Sequence, residues 1–306
     1  NFASSSTLNY GNGVTSYKLI SKLSSKYIVY GIDMNITGIG KSRCHYFYKS
    51  PNPNSKEYIP FLKRILNKVD IAFLYSDEEI LSVLKARKDK KIDDAKLILS
   101  NPETLEVCLD KMKLNKFFEK KQTKFLKIPQ LNHGSKCVIK PTYGRGSKNI
   151  LFTKNKKIRN FFSKLKKNFI VQEFIEGKEY TVDCYFDKSG ILKDYLMRER
   201  IVKSSVSISS KIIKNEDVKK SLIYLSKLFK FQGPINIQFI KKKNIFYLIE
   251  INPRLSGSLS FSIEAGFDPF KLSAEEYLNH KIKPFKKTNS IYFHRYYDFV
   301  QKKKIT

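Results

Sequence analysis

The stretch FYLIEINPRLSGS, residues 246–258, sets an apolar run of Phe246, Tyr247, Leu248, Ile249 and Ile251 against two polar residues, Glu250 and Asn252. Side chains two apart on a strand project to the same face, so the carboxylate and the carboxamide stand together. The preceding segment, Asn236-Ile237-Gln238, repeats the pattern with two carboxamides. A basic turn around residues 241–244 joins the two, short enough for an antiparallel hairpin. If even-numbered residues pair with even-numbered ones, Asn236, Gln238, Glu250 and Asn252 share one surface. That surface offers hard oxygen donors suited to magnesium, or manganese, carried by a nucleotide. The alternative is the solvated face of an amphipathic hairpin, although such faces usually carry Lys, Thr or Glu. Past Pro253, Arg254 stands at the rim where negative charge would develop, and the small-residue turn Ser256-Gly257-Ser258 follows.

Upstream, KCVIKP (136–141) reads as a strand, TYGRGSKN (142–149) as a lid-like loop and ILF (150–152) as a returning strand. Gly144 and Gly146 let backbone amides approach an anion closely, Ser147 adds a hydroxyl, and Lys140 can neutralise a phosphate. The P-loop spacing is absent, and by itself such a loop is an ordinary turn. After a basic helix (155–167), QEFIEGKEYTVD (172–183) reads as strand, turn and strand with Gly177 in the turn. Glu173 and Ile175 can present a hinge edge to adenine, and Glu179 lies further along to reach a ribose. A helix over 215–230 leads back to the hairpin.

Residues 7–100 alternate strand-like runs (27–33, 70–76) with helical ones (55–69, 77–90), which predicts a small parallel sheet covered by helices. YGNGVTSYKLISKL (10–23) reads as a tight strand–helix turn, and no opening strand is legible before it. Residues 101–121 form one or two helices. The fold class is therefore an α/β N-terminal domain followed by an α+β region on antiparallel sheets.

At 306 residues the chain can bury several lobes. Its net charge of +31 points toward nucleic acid, yet 50 of 59 basic residues are Lys and only nine are Arg, the residue that reads bases and phosphates bidentately. Nucleic acid is therefore not the expected partner, and the clusters 241–243 and 302–304 read as solvated turns and tails. An anionic small substrate fits the charge equally well. Cys44, Cys108, Cys137 and Cys184 lack CxxC spacing, and the four histidines are scattered. They predict reduced thiols in a cytoplasmic protein and no zinc site. No apolar run reaches the roughly 18 residues of a membrane span. The start, NFASSSTLNYGNG, shows neither an initiator Met nor a signal pattern, so the chain is expected to begin just inside its natural start.

Taken in order, Lys140-Pro141, Gly144-Arg145-Gly146-Ser147, residues 173–179, Asn236-Ile237-Gln238 and Glu250-Ile251-Asn252-Pro253-Arg254 resemble the ATP-grasp superfamily, and most closely its carbamoyl-phosphate-synthase-like branch. The resemblance covers nearly the whole chain. It implies a pre-ATP-grasp-like domain over 1–103, a lid lobe over 104–174 and a C-terminal lobe with the metal site over 175–306.

It also implies roles. Asp110-Lys111 matches the Asp-Lys before the lid, with Lys111 on the phosphates together with Lys140, Gly144, Gly146 and Ser147. Glu173, Phe174 and Ile175 match the adenine hinge and Glu179 the ribose contact. Gln238, Glu250 and Asn252 match the magnesium ligands, while Asn236, Lys140 and Arg254 match the catalytic set. Ser256, Gly257, Ser258 and Arg254 border the substrate, and Arg198 and Arg200 either hold its carboxylate or merely edge a strand. The implied reaction is ATP- and magnesium-dependent activation of a carboxylate as an acyl phosphate, captured by an amine or another nucleophile. A small-molecule kinase and a non-enzymatic nucleic-acid binder are the alternatives. A homodimer is implied by resemblance only. Two departures stand out: no glycine ends the lid loop, where Asn149 can tolerate left-handed backbone, and residues 198–211 hold no histidine.

Overall fold

The computed structural model describes residues 2–5, 26–93, 95–131, 134–144, 149–165, 168–203, 207–280 and 291–295. The N-terminal part is a parallel sheet of β1 (Phe2–Ser5), β2 (Val29–Asp33), β3 (Tyr46–Lys49) and β4 (Ile71–Phe73), in the order β3-β2-β1-β4. Helices α1 (Tyr58–Leu66) and α2 (Asp77–Lys88) accompany it. An opening strand is thus present, against the expectation from sequence: β1 lies inside the sheet, paired with both β2 and β4. Its four residues, FASS, show no alternation. An interior strand is held by ladder hydrogen bonds on both edges, so little in its sequence need announce it. The segment 10–23 falls outside the described residues.

Helix α2 starts where its chemistry dictates. Ser76 and Glu79 form a reciprocal capping box, Asp77, Glu78 and Glu79 fill the first turn, and Lys85, Arg87 and Lys88 fill the last. Residues 101–121 hold two helices, α3 (Pro102–Leu109) and α4 (Lys111–Phe118). The break is Asp110, whose backbone is extended and whose carboxylate accepts the N–H groups of Met112 and Lys113 at 2.9 Å each.

A three-stranded antiparallel sheet follows, built from β5 (Cys137–Pro141), β6 (Leu151–Thr153) and β7 (Phe169–Glu173), with helix α5 (Lys156–Lys164) against it and β5 in the middle. The largest sheet contains β8 (Lys178–Phe186), β9 (Leu192–Lys203) and β10 (Ser207–Ile213). After α6 (Glu216–Leu228) come β11 (Gly233–Lys242), β12 (Ile245–Asn252), α7 (Ser260–Glu264), α8 (Pro269–Tyr277) and β13 (Tyr292–His294). Its order is β12-β11-β8-β9-β10-β13, and every pairing is antiparallel.

Two cores position the site. One face of the large sheet buries Tyr180, Val182, Met197, Ile237, Phe239 and Ile251 against Leu114 and Phe118 of α4 and Val218, Leu222 and Leu225 of α6. Full burial of each such side chain contributes about 1.5–3 kcal/mol, so this face anchors the sheet and leaves the other for polar residues. A second cluster joins Val29, Ile71, Phe73 and Ile98 to Leu255, Leu259, Ile263 and Phe270. It clamps the N-terminal sheet onto the segment that follows Arg254. Among the described residues no helix is long and apolar enough to cross a membrane.

Candidate active site

The register of the large sheet decides which side chains meet. Asn236 pairs with Asn252 and Gln238 with Glu250, the even-with-even pairing on which a shared polar surface depended. A two-residue turn, Lys243-Asn244, closes the hairpin, with Lys243 at φ 53°. On the next strand Asn236 faces Asp183 and Gln238 faces Thr181; Thr181 in turn faces Arg198, and Arg200 faces Ser210. Directly opposed residues share a face. One polar surface therefore runs across the sheet from Glu250 and Asn252 to Arg198 and Arg200, opposite the apolar core.

Within it, the Asn252 amide donates to Glu250 Oε1 at 3.0 Å and to Asn236 Oδ1 at 3.4 Å. Beneath lies a buried network: Asn236 Nδ2 donates to Asp183 Oδ1 at 2.7 Å, and Ser262 Oγ donates to Asp183 Oδ2 at 2.5 Å. Arg198, with 0% of its surface exposed, reaches Asp183 at 3.4 Å and Ser258 at 2.7 Å, and lies over the Phe261 ring. Burial, only partly offset by Asp183, lowers the pKa of Arg198. Arg198 is thus no strand edge; it is the cation beneath the floor, and Ser256 and Ser258 close over it. Arg200 is 12% exposed and pairs with Glu179 at 3.3 Å, so the residue implied for the ribose is held by an arginine.

Arg254 is more buried than a rim residue, at 9% exposure. Its Nε meets Asp77 Oδ1 at 2.5 Å and its second guanidinium nitrogen donates to Asn252 Oδ1 at 3.4 Å. Burial alone would depress its pKa, but Asp77 and then Glu250 more than offset that, and the net shift is upward.

The small sheet and helix α4 each bring a cation toward Glu250. Lys140, 8% exposed, has its pKa pushed down to about 8 by burial, with Glu250 opposing and Lys111 adding to the shift. Those couplings bring Lys140, Lys111 and Glu250 into one neighbourhood. Lys111 Nζ donates to the Gly144 carbonyl at 2.8 Å, and Tyr143 OH donates to Asp110 Oδ2 at 2.8 Å, tying the start of the lid loop to the head of α4. Gly144 sits at φ +125°, a conformation that favours glycine. At the loop's far end Asn149 has φ 57°, the left-handed role that replaces a glycine. Gly146 and Ser147 lie outside the described residues.

At the hinge, Phe174 N–H donates to the Lys136 carbonyl at 2.8 Å, and Ile175 is buried. Glu173 lies 3.9 Å from Lys242 Nζ. A Cβ on Gly177 would stand 2.2 Å from the Lys241 carbonyl, so only glycine allows the hinge to approach β11 this closely.

The donor set of Gln238, Glu250 and Asn252 fits a hard divalent cation. One carboxylate and two carboxamides, all partly exposed, stand on one face.

Residues 166–297 match the family model described as ATP-grasp in the biosynthetic pathway with Ter operon. Among curated proteins, the carbamoyl phosphate synthase large chain of Clostridium botulinum is 32% identical over 143 residues. That match takes in 42% of this chain and 13% of that protein, so the chain spans a small part of the length of such relatives. N5-carboxyaminoimidazole synthetase from Staphylococcus aureus, solved in complex with ADP, superposes with a TM-score of 0.70 at 15% identity, over 92% of this chain and 78% of that one. The chain has an ATP-grasp fold. An L-amino acid ligase from Bacillus licheniformis has the same fold, with a TM-score of 0.67 at 14% identity over 90% of this chain and 74% of its own.

Two residues of the site, Asp183 and Asp77, were not singled out from the sequence. Asp183 was legible in part, since Thr181 and Asp183 alternate with Tyr180, Val182 and Cys184. Asp77 carried no signal beyond a helix start, because its partner is a distant loop.

Proposed function

We propose that this chain is an ATP-grasp enzyme, an ATP-dependent ligase that activates a carboxylate and joins it to an amine. The observation that carries the reading is the single polar face that holds Gln238, Glu250 and Asn252 together, with the Glu250 carboxylate acting on the charge of the buried Lys140. The division into 1–103, 104–174 and 175–306 belongs to the same proposal. The nucleotide lies between the small sheet and the hairpin, its base at residues 173–175 and its phosphates toward Lys111, Lys140 and the lid loop. Gln238, Glu250 and Asn252 would hold magnesium, which supplies charge neutralisation at the phosphates.

The carboxylate oxygen attacks the γ-phosphorus and the bond to the β-phosphate oxygen breaks, releasing ADP. The amine then attacks the acyl carbon, phosphate departs with the bonding pair and the amine loses a proton. This chain's part is positioning and charge: Lys140 and Lys111 steady the phosphates, and Arg254 faces the charge that develops on the transferred group. Arg200, with Ser256 and Ser258 over the buried Arg198, borders the substrate. The ADP complex of the synthetase and the ligase name of the second structure support this reading.

Calorimetry of ADP binding with and without magnesium, on wild type and Glu250→Ala, tests it. Expected is a magnesium-dependent gain of about tenfold or more that the substitution removes. No ADP binding by the wild type sinks the reading. An amide product formed with ADP from a carboxylate–amine pair completes it, whereas a stable phosphate ester would make the protein a kinase.

A further inference from the structure

Helix α5 lies on the outer side of the small sheet. Phe162 meets the Phe169 ring edge-on at 5.0 Å. Phe169 and Val171 project from β7 to the face opposite Ile170, the residue paired with Lys140. The helix and Lys140 therefore occupy opposite faces of the sheet. A helix packed in this way should turn its apolar residues inward, and here the pattern is inverted. Among the described residues the one buried side chain of α5 is Arg159, at 8% exposure, whereas Phe161 is 59% exposed. Ile158 and Leu165, the latter just past the last turn, are exposed as well. Three and then four residues apart, Ile158, Phe161 and Leu165 form one outward stripe. Leu151 of β6, paired with Ile139 on the same side of the sheet, is also exposed.

Positive charge gathers round the stripe. Residues 154–167 hold six Lys, one Arg and no acidic residue, a positive charge at every second position. The chain's net +31 over 306 residues is about one in ten, so this segment stands out from the general lysine content. Lys154, Lys156, Lys157 and Lys164 are exposed, and Lys157 and Lys164 run along the stripe two turns apart. The first turn of α5 contains no acidic residue and carries Lys156 and Lys157, where cations oppose the helix dipole. Exposed apolar residues and misplaced cations on one helix gain nothing inside the molecule, which marks the helix as functional. A second copy of the chain would bring the same lysines face to face. Nucleic acid would meet the cations and leave Ile158 and Leu165 in water. An anionic bilayer answers both features: the stripe enters the boundary between headgroups and acyl chains, and the lysine stems reach the headgroups.

We propose that α5 docks the protein on the surface of an anionic lipid bilayer, with Ile158, Phe161 and Leu165 inserted at the level of the headgroups and the flanking lysines on their negative charges. The inference is independent of the nucleotide reading. Because α5 and Lys140 lie on opposite faces of the sheet, docking leaves the Lys140 face open.

The test is flotation with vesicles of phosphatidylcholine alone and of phosphatidylcholine with about 30 mole per cent phosphatidylserine. Wild type is expected to bind the anionic vesicles about tenfold or more tightly than the neutral ones. The double variant Phe161→Ser with Leu165→Ser leaves every charge in place and is expected to lose about tenfold in that affinity. The chain contains no Trp, so Phe161→Trp sets a single indole on the stripe, and its emission is expected to shift to the blue on the anionic vesicles. A basic chain can also adhere by charge alone. In that case the serine variant binds as wild type does and the indole emission stays put, and the proposal is overturned. A wild type that ignores both vesicles, whether or not it binds duplex DNA or poly-glutamate, overturns it too. Should the serine variant fail to fold by circular dichroism, quenching of the indole by brominated acyl chains decides, and an unquenched indole sinks the proposal.

Discussion

Arg254 and Asp77, 177 positions apart, meet with Nε and Oδ1 at 2.5 Å. The contact ties the first turn of α2, beside the N-terminal sheet, to the loop leaving the hairpin. The arginine implied for the phosphate step is thereby set by a different part of the chain. Removing one member of a buried pair strands the other. Asp77→Ala is therefore expected to lower stability by about 3 kcal/mol in urea unfolding. The double substitution with Arg254→Ala should cost less than the sum of the two singles. A single-mutant loss below about 0.5 kcal/mol would show the pair to be idle.

Lys140 supplies a pH test. Its pKa is pushed from the ordinary 10.5 down to about 8, chiefly by burial. The unfolded chain thus binds more protons between about pH 8 and 10.5, and stability from this group rises with pH across that window. Below pH 8 the buried charge costs about 3 kcal/mol by the same linkage. Lys140→Met is expected to be more stable than wild type at pH 7, with the gain fading toward pH 10. A gain independent of pH would place the charge elsewhere. Magnesium-free ADP affinity of wild type should in turn fall as pH rises through about 8, and Lys140→Arg should abolish that fall.

The buried Arg198–Asp183 pair predicts asymmetry. Among the described residues Arg198→Met leaves Asp183, 2% exposed, to Asn236 and Ser262, and a loss of about 3–5 kcal/mol is expected. Combining it with Asp183→Asn should recover much of that, read as the midpoint of thermal unfolding. A double variant no better than the single would mean that the arginine acts through packing on Phe261 rather than charge.

The two ends of the lid loop predict opposite tolerances. Gly144→Ala forces a side chain onto φ +125°, at about 1–3 kcal/mol of local strain, and ADP affinity is expected to drop about tenfold. Asn149→Gly should leave affinity within about twofold, while Asn149→Val, with a β-branch at φ 57°, should lower stability by about 1–2 kcal/mol. Equal affinities for all three would remove the loop from nucleotide binding.

How much was legible differs by residue, for physical reasons. Glu250, Asn252, Asn236 and Gln238 could be placed on one face because a strand has a period of two and a short turn leaves few registers. Asn149 could be read as a left-handed residue because that tolerance is local chemistry. Strand β1 was missed because its four residues take their structure from ladders on both sides. Arg198 could not be told from a strand-edge cation, since its burial depends on Ser256, Ser258 and Phe261 folding over it.

The sequence by itself determined the alternation of strands and helices, the hairpin with its donor set and the glycine-permissive turns, all of which follow from periodicity and backbone preference within a few residues. Only the tertiary structure decided that Arg254 is held by Asp77, that Lys140 is buried where Glu250 acts on its charge, and that the polar face continues through Asp183 to two arginines. Those relationships join segments far apart in the chain, and burial and charge pairing exist only once the segments have packed.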